Sequence, residues 1–304
     1  MTAEHDGQAR SFVIGGTVIP ARPLEPALYL VATPIGNLGD VTIRALETLA
    51  AADFVACEDT RVTRVLLERY GIRRRMVAYH EHNEADAAAG LIAAVAQGKS
   101  VALASDAGTP LVSDPGYRLV QEAINQGVRV VPIPGASAVL SALTASGLPN
   151  DAFMFAGFLP VKAGQKKSRM EALANVPATL VFYESPRRLA DTLAAMAEVL
   201  GDRQAVVARE LTKTFEELRR GSLPELAQHY AEAGAPKGEV VLCVAPPTEK
   251  AEASEADTDQ MLLGLAAEMP AAKAAGEAAR MTGRKKSELY QRLLELKANA
   301  GDES

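Results

Sequence analysis

From Leu28 to Gly147, short apolar runs alternate with stretches of helical period. This alternation constrains the fold more than any other feature of the chain. LYLVATP, FVACED, RMVAYHEH, SVALASD and VRVVPIPG read as strands; VTIRALETLAAAD, TRVTRVLLERYG, EADAAAGLIAAVAQG, GYRLVQEAINQG and ASAVLSALTASG read as helices. Strands of about five residues alternating with helices of about 10–15 are βαβ units, which build a parallel sheet covered on both faces.

Near GLPND, at residues 147–151, the pattern changes. FMFAGFLP, ATLVFYES, QAVVARELT, FEELRRGSL and EVVLCVAP read as further strands. Two of them flank a short break at Thr214, which implies a hairpin and so a mixed sheet. A basic stretch, KAGQKKSR, follows Pro160, and a helix, PRRLADTLAAMAEVLG, follows YES. The expected organisation is a flexible extension (1–27), an N-terminal α/β domain (28–149), a C-terminal α/β domain (150–246), a Pro-, Ala- and acid-rich linker (247–260) and a helical module (261–304).

Composition narrows the function classes. The net charge of the 304 residues is −6, which excludes a whole-chain basic footprint for nucleic acid. The sequence has no Trp and 5% aromatic residues, so the core must be built from Ala, Leu and Val. Cys57 and Cys243 each sit in an apolar run, as buried reduced thiols of a cytoplasmic protein do. No apolar run reaches membrane-spanning length, and the N-terminus lacks the basic start and long apolar stretch of a secretory signal. The helical module opposes the overall charge: Lys273 to Lys297 holds seven Lys/Arg against three Glu, a net of +4.

Two phosphate-site signatures fail. GKS at 98–100 lacks the glycine five positions earlier and precedes a strand, and no G-x-G-x-x-G follows the first strand. Instead, the turns TPIGN, ASDAGTP and PIPGASA all fall at carboxyl ends of parallel strands, where open α/β sheets bind ligands. Glycine there lets backbone approach a ligand closely. ASDAGTPLVSDPG, at the carboxyl end of the fourth parallel strand and beside two similar turns, reads as one wall of a ligand cleft.

Charged strand ends supply further candidates: Glu58, Asp59, Arg61 and Arg64 in CEDTRVTR; His80, Glu81, His82, Asn83 and Glu84 in YHEHNEAD; Tyr183, Glu184, Arg187 and Arg188 in FYESPRR; and Arg209, Glu210 and Lys213 in ARELTK. No metal site is expected from the His80/His82 pair, which lacks a clustered ligand set.

Together, LYLVATPIGNLGDVTIRALETLAAADFVACEDTR, ASDAGTPLVSDPG, PIPGASA, FYESPRR and ARELTK closely resemble the tetrapyrrole methylase superfamily, in its branch acting on small-subunit ribosomal RNA. The resemblance spans about Leu28 to Val244, and TGRKKSELYQRLLELK resembles the helix-turn-helix-like domain attached to that branch. It implies a two-domain α/β fold with S-adenosylmethionine in a cleft, a homodimer, and methylation of the ribose 2′-hydroxyl of a decoding-centre cytidine in the 16S rRNA of the 30S subunit. By motif, Pro34, Asp106, Gly108, Thr109, Ser137, Ala138 and Tyr183 would line the cofactor site. Within ASDAGTPLVSDPG the resemblance implies that Asp106 to Thr109 contact the cofactor while Asp114 caps the next helix, and so a larger loss of cofactor affinity for Asp106→Ala than for Asp114→Ala. Glu58, Asp59, His80 and Glu184 are candidate proton acceptors. Arg61, Arg187 and Arg188, with Arg284, Lys285 and Lys286 of the module, are candidate RNA contacts; Lys273, Arg280 and Arg292 lie on the same module. The competing readings are a precorrin-type tetrapyrrole methyltransferase and a non-catalytic RNA-binding or assembly protein.

Overall fold

The structure, a computed structural model, describes residues 10–80, 83–114, 116–247, 255–282 and 284–301. Glu81, His82, Pro115 and Gly283 lie outside the described residues, as do 1–9 and residues 248–254 of the expected linker. The chain divides into two compact units, one running through Pro246 and one from Pro247.

The first unit opens with β1 (Ser11–Ile14) and β2 (Thr17–Pro20), an antiparallel hairpin. This stretch falls within the expected flexible extension and corrects that expectation. Gly15 and Gly16 take the left-handed backbone its two-residue turn requires, and Phe12 is buried in the core. The Val13 N–H donates to the Tyr70 carbonyl, and Arg10 reaches Asp53 and the Ala51 carbonyl.

Next come β3 (Ala27–Val31), α1 (Ile43–Ala51), β4 (Phe54–Cys57), α2 (Thr60–Arg69), β5 (Met76–Ala78), α3 (Glu84–Ala96), β6 (Ser100–Ala104), α4 (Tyr117–Asn125), β7 (Val130–Ile133) and α5 (Ala138–Ser146). The five strands pair in parallel in the order β5-β4-β6-β3-β7. Alternation along each strand serves two cores. Tyr29, Val31, Ala102 and Ala104 meet Leu46, Leu49 and Leu66 of α1 and α2. Leu28, Val101 and Leu103 meet Leu91, Ile92 and Leu119 of α3 and α4. Burial on both faces explains the nearly unbroken apolar runs.

The second half contains β8 (Phe153–Phe158), α6 (Ala163–Leu173), β9 (Thr179–Glu184), α7 (Leu189–Leu200), β10 (Gln204–Arg209), β11 (Glu217–Ser222), α8 (Leu223–Ala233) and β12 (Val240–Val244). Its sheet has the order β11-β10-β12-β9-β8. Only β8 with β9 is parallel; the other three pairs are antiparallel, including the β10–β11 hairpin across Thr214. One face packs on α6, α7 and α8 through Phe182, Leu193 and Leu226. The other packs Val181, Val206, Val241 and Cys243 against Val139, Ala142 and Leu143 of α5 and against Ile35. The halves on either side of residue 150 therefore share a core.

The second unit is a three-helix cluster: α9 (Glu255–Glu268), α10 (Ala271–Thr282) and α11 (Lys286–Gly301). Its core is Leu262, Ala274, Ala275, Ala278, Leu289 and Leu293. The sequence reading expected two helices and a linker extending to residue 260. Helix α9 begins at Glu255 because Leu262, fully buried, gives this acid-rich stretch an inward anchor.

Candidate functional site

The carboxyl ends of β3, β6 and β7 lie on one edge of the parallel sheet, and the turns after them are tied together by backbone. Thr33 N–H donates to the Gly108 carbonyl and Gly108 N–H returns the bond to Thr33, at 2.9 and 3.1 Å. The Thr33 hydroxyl donates to the Ser105 carbonyl, and the Thr109 hydroxyl to the Ala136 carbonyl. Gly108 has a left-handed φ of 83°, and a Cβ there would stand 3.2 Å from Ile35 Cγ2. A Cβ on Gly135 would stand 2.9 Å from that of Ala32, so side chains are excluded where these turns meet.

Facing these turns is the edge of the mixed sheet formed by the end of β9, the start of β12 and the end of β10. Between them lies a cleft of about 470 Å³. Gly108, Thr109, Ser137, Ala138 and Tyr183, five of the seven expected cofactor residues, line it. The other two, Pro34 and Asp106, line an adjoining recess of about 350 Å³ that shares Ile35, Ala107 and Glu239 with the cleft. The cleft also takes in Ser113, Asp114, Phe158, Gly238 and Glu239, which the sequence reading did not include among the site residues.

Ser137 caps α5, its hydroxyl accepting from Leu140 N–H, so this helix starts at the cleft wall. Tyr183 is half-buried with Phe155 and Phe158 edge-on, at ring separations of 4.9 and 5.5 Å. Burial first, then the charges of Asp114 and Glu239, raise its phenol pKa.

Asp114 is not the cap expected of it. The N-cap of α4 is Gly116, and the Asp114 carboxylate instead accepts from the Ser105 hydroxyl at 2.5 Å. Ser105 Oγ also accepts from Ala107 N–H, so Asp114 anchors the loop that presents Ala107 to Thr109. Asp106 accepts from Asp59 N–H at 3.0 Å, linking the turns after β4 and β6. Burial pushes both carboxyls above their ordinary range; for Asp106 the Asp59 N–H partly offsets this, for Asp114 the Ser105 hydroxyl does.

All four non-glycine residues with left-handed backbone among the described residues flank the cleft. Leu111 and Ser113 lie in the loop after β6, and Glu210 and Thr212 in the turn after β10. Strain of this kind collects where a site over-determines the backbone.

The candidate proton acceptors divide. Asp59 caps α2 and is clasped by Arg61, whose hydrogen bonds hold its carboxyl at about 2. Glu184 is buried and saturated. It accepts from Ser185 N–H and the Thr192 hydroxyl, pairs with Arg188 at 3.4 Å, and Lys166 donates to the same Thr192. Arg188 also donates to the Leu159 and Pro160 carbonyls, so it holds the β8–α6 loop. Glu58 lies in a small recess with Tyr79, Ser105 and Asp114. His80 follows β5, its N–H bonded to Asn83 Oδ1. Among the described residues no group of three or more His, Cys, Asp or Glu is placed to hold a metal.

Arg187 is exposed at the start of the turn into α7. In the second unit, Lys273, Arg284, Lys285 and Lys286 are exposed, with Lys285 3.8 Å from Glu288. Arg280 and Arg292, expected on the same basic surface, are clasped by Glu277 and by Asp259 with Glu295.

A parallel α/β sheet whose glycine-rich turns face a mixed sheet across a cleft is the fold of cobalt precorrin-4 methyltransferase, which superposes on 72% of this chain and 95% of its own at a TM-score of 0.56 and 17% identity. Uroporphyrin-III C-methyltransferase from Thermus thermophilus, complexed with S-adenosylhomocysteine, covers 71% of this chain and 96% of its own at a TM-score of 0.51 and 21% identity. The family model Tetrapyrrole (Corrin/Porphyrin) Methylases matches residues 27–227, and that of the RsmI C-terminal HTH domain matches 252–297. A relative from Mesorhizobium japonicum, ribosomal RNA small subunit methyltransferase I, is 70% identical over 95% of this chain and 99% of its own. The chain belongs to the tetrapyrrole methylase family, in the branch of the small-subunit ribosomal RNA methyltransferases I. The resemblance read from the motifs is borne out.

Proposed function

We propose that this protein uses S-adenosylmethionine to methylate the ribose 2′-hydroxyl of a decoding-centre cytidine in 16S rRNA, acting as a cytoplasmic homodimer on the 30S subunit or its RNA. The observation that carries the reading is the cleft itself, bounded by Gly108, Thr109, Ser137, Ala138 and Tyr183. Its volume suits a small cofactor, and exposed backbone beside a half-buried phenol suits adenine and ribose. The 70% identity to an rRNA methyltransferase of nearly equal length supports the substrate class, and the S-adenosylhomocysteine complex of a fold neighbour supports the cofactor.

When bound, the sulfonium supplies an activated methyl group. The protein's task is to align an oxygen with it and to accept the hydroxyl proton as the new C–O bond forms. Gly108 and Thr109 present backbone to the cofactor, and Tyr183 closes the wall opposite. Asp106, in the adjoining recess next to Ala107, would accept from a cofactor hydroxyl or ammonium. Glu58, Asp59, His80 and Glu184 are the candidates for receiving the proton; Asp59 and Glu184 also hold the turns around the cleft through Arg61 and through Thr192 and Arg188.

The test is a methyl-transfer assay on 30S subunits, naked 16S rRNA and a precorrin, with mapping of the modified atom. Transfer to a cytidine 2′-oxygen is expected, and transfer to the precorrin alone would overturn the reading. Removal of residues 248–304 should weaken binding to RNA through loss of Arg284, Lys285 and Lys286 while leaving cofactor affinity intact. Calorimetric titrations of cofactor and RNA against the truncated protein check this.

A further inference from the structure

The recess beside the cofactor cleft has a chemistry of its own. Its rim is α2, where Val62 and Val65, one turn apart, are 45% and 57% exposed. Two neighbouring apolar side chains held open to solvent at the mouth of a recess form a shelf for a flat apolar face. Arg61 and Arg64 are exposed on the same helix. Arg61 is engaged only at the surface by Asp59, in the kind of pair that exchanges readily for a phosphate.

The wall facing α2 has the opposite sign. Asp106, half-buried, and Glu239, exposed, line it, with Lys213 between Glu210 and Glu239 at 2.7 and 2.9 Å. The Lys213 methylenes lie over Gly36, where a Cβ would stand 2.5 Å from Lys213 Cγ. Lys213 thus joins the turn after β10 to the turn after β3. Carboxylates accept hydrogen bonds from sugar hydroxyls and exocyclic amines, and they repel carboxylates. An acidic wall facing an apolar shelf, with Arg61 and Arg64 on the helix that carries the shelf, fits a nucleotide with its sugar against the carboxylates, its base on the shelf and its phosphates along the helix. The carboxylates oppose a polycarboxylate such as a tetrapyrrole. The walls shared with the cleft, Ile35, Ala107 and Glu239, set such a nucleotide beside the methyl donor.

We propose that this recess seats the acceptor nucleotide of a single-stranded RNA segment, with Val62 and Val65 covering the base, Glu239 and Lys213 facing the sugar, and Arg61 and Arg64 holding flanking phosphates. The inference rests on the function proposed above and adds the place where its substrate binds.

The test uses the full-length protein with Val65→Glu, Val65→Leu and Lys213→Gln. Each is titrated with S-adenosylhomocysteine and assayed for methyl transfer to the RNA substrate accepted by the wild type. Val65→Glu places a charge against the base, so the KM for RNA should rise about tenfold or more. Cofactor affinity should stay unchanged, and Val65→Leu should retain the wild-type KM. Lys213→Gln should lower kcat by releasing Glu239. A Val65→Glu enzyme with wild-type KM and wild-type cofactor affinity would overturn the seat and leave the proposed function standing. A wild-type protein that binds cofactor but methylates no RNA would sink both.

Discussion

The two five-stranded sheets of the first unit build facing walls of one cleft in different ways. In the parallel sheet every strand points the same way, so its active edge consists of the turns that follow strands: Pro34 to Gly36, Asp106 to Thr109 and Pro134 to Ala138. In the mixed sheet that edge combines the end of β9, the end of β10 and the start of β12. The first wall is mostly backbone, pinned by the reciprocal Thr33–Gly108 bonds. The second is mostly side chains, pinned by the Glu184–Thr192–Arg188 and Glu210–Lys213–Glu239 clusters. Parallel topology therefore supplies shape, and mixed topology supplies charge.

The largest effect should come from breaking the charged wall. Glu184→Ala leaves the buried Thr192 hydroxyl without its acceptor and the half-buried Arg188 with only the Leu159 and Pro160 carbonyls, and should cost about 3 kcal/mol in denaturant unfolding. Glu184→Gln should cost less and retain methyl transfer per folded molecule. Loss of transfer in a stable Gln variant would instead make Glu184 the proton acceptor. On the backbone wall, Gly108→Ala imposes a left-handed conformation on a side chain that meets Ile35. About 1–3 kcal/mol of strain should appear as a roughly five- to 150-fold loss of cofactor affinity by calorimetry. Little loss there would mean that this wall is more pliable than its bonds suggest.

Asp114 and Asp106 test the same contrast within one loop. Asp114→Ala removes the Ser105 anchor and should lower stability by about 1 kcal/mol. Asp106→Ala should cost less stability, because the hydrogen bond it removes comes from the partly exposed Asp59 N–H, and should cost more cofactor affinity than Asp114→Ala. Paired melting and binding titrations read both. The smallest effect is at Asp59. Its folded pKa is held at about 2, below the ordinary 3.8. Its contribution to stability is therefore present above the ordinary value and lost as pH falls from 3.8 towards about 2. Asp59→Asn should flatten that part of an acid-unfolding curve, and an unchanged curve would show the Arg61 clasp to be idle.

The parallel wall was legible in the sequence for a physical reason. Buried strands read as apolar runs, and the Gly/Pro turns that end them stand out. The mixed wall was legible only where a strand ends, at Tyr183 and Glu184. Gly238 and Glu239 precede β12, and nothing local shows that this strand runs antiparallel to its neighbours. Two elements carried signals that went unread: the SFVI-GG-TVIP hairpin, and α8 with its Ser222/Glu225 capping box. Helix α6 carries almost none, because one of its three buried residues is Lys166. The charge of the helical unit was readable, but its distribution was not, since the pairing of Arg292 with Asp259 depends on how α9 meets α11.

Helix α5 belongs by sequence to the first half yet packs into the core of the second, with Ile35 beside it. Rigid-body opening of the two halves would shear that core apart. The frame around the cleft is therefore stiff, and traffic in and out falls to the short loops at its mouth. Turnover should accordingly respond to changes at Leu111 and Ser113, whose left-handed backbone shapes the loop at that mouth.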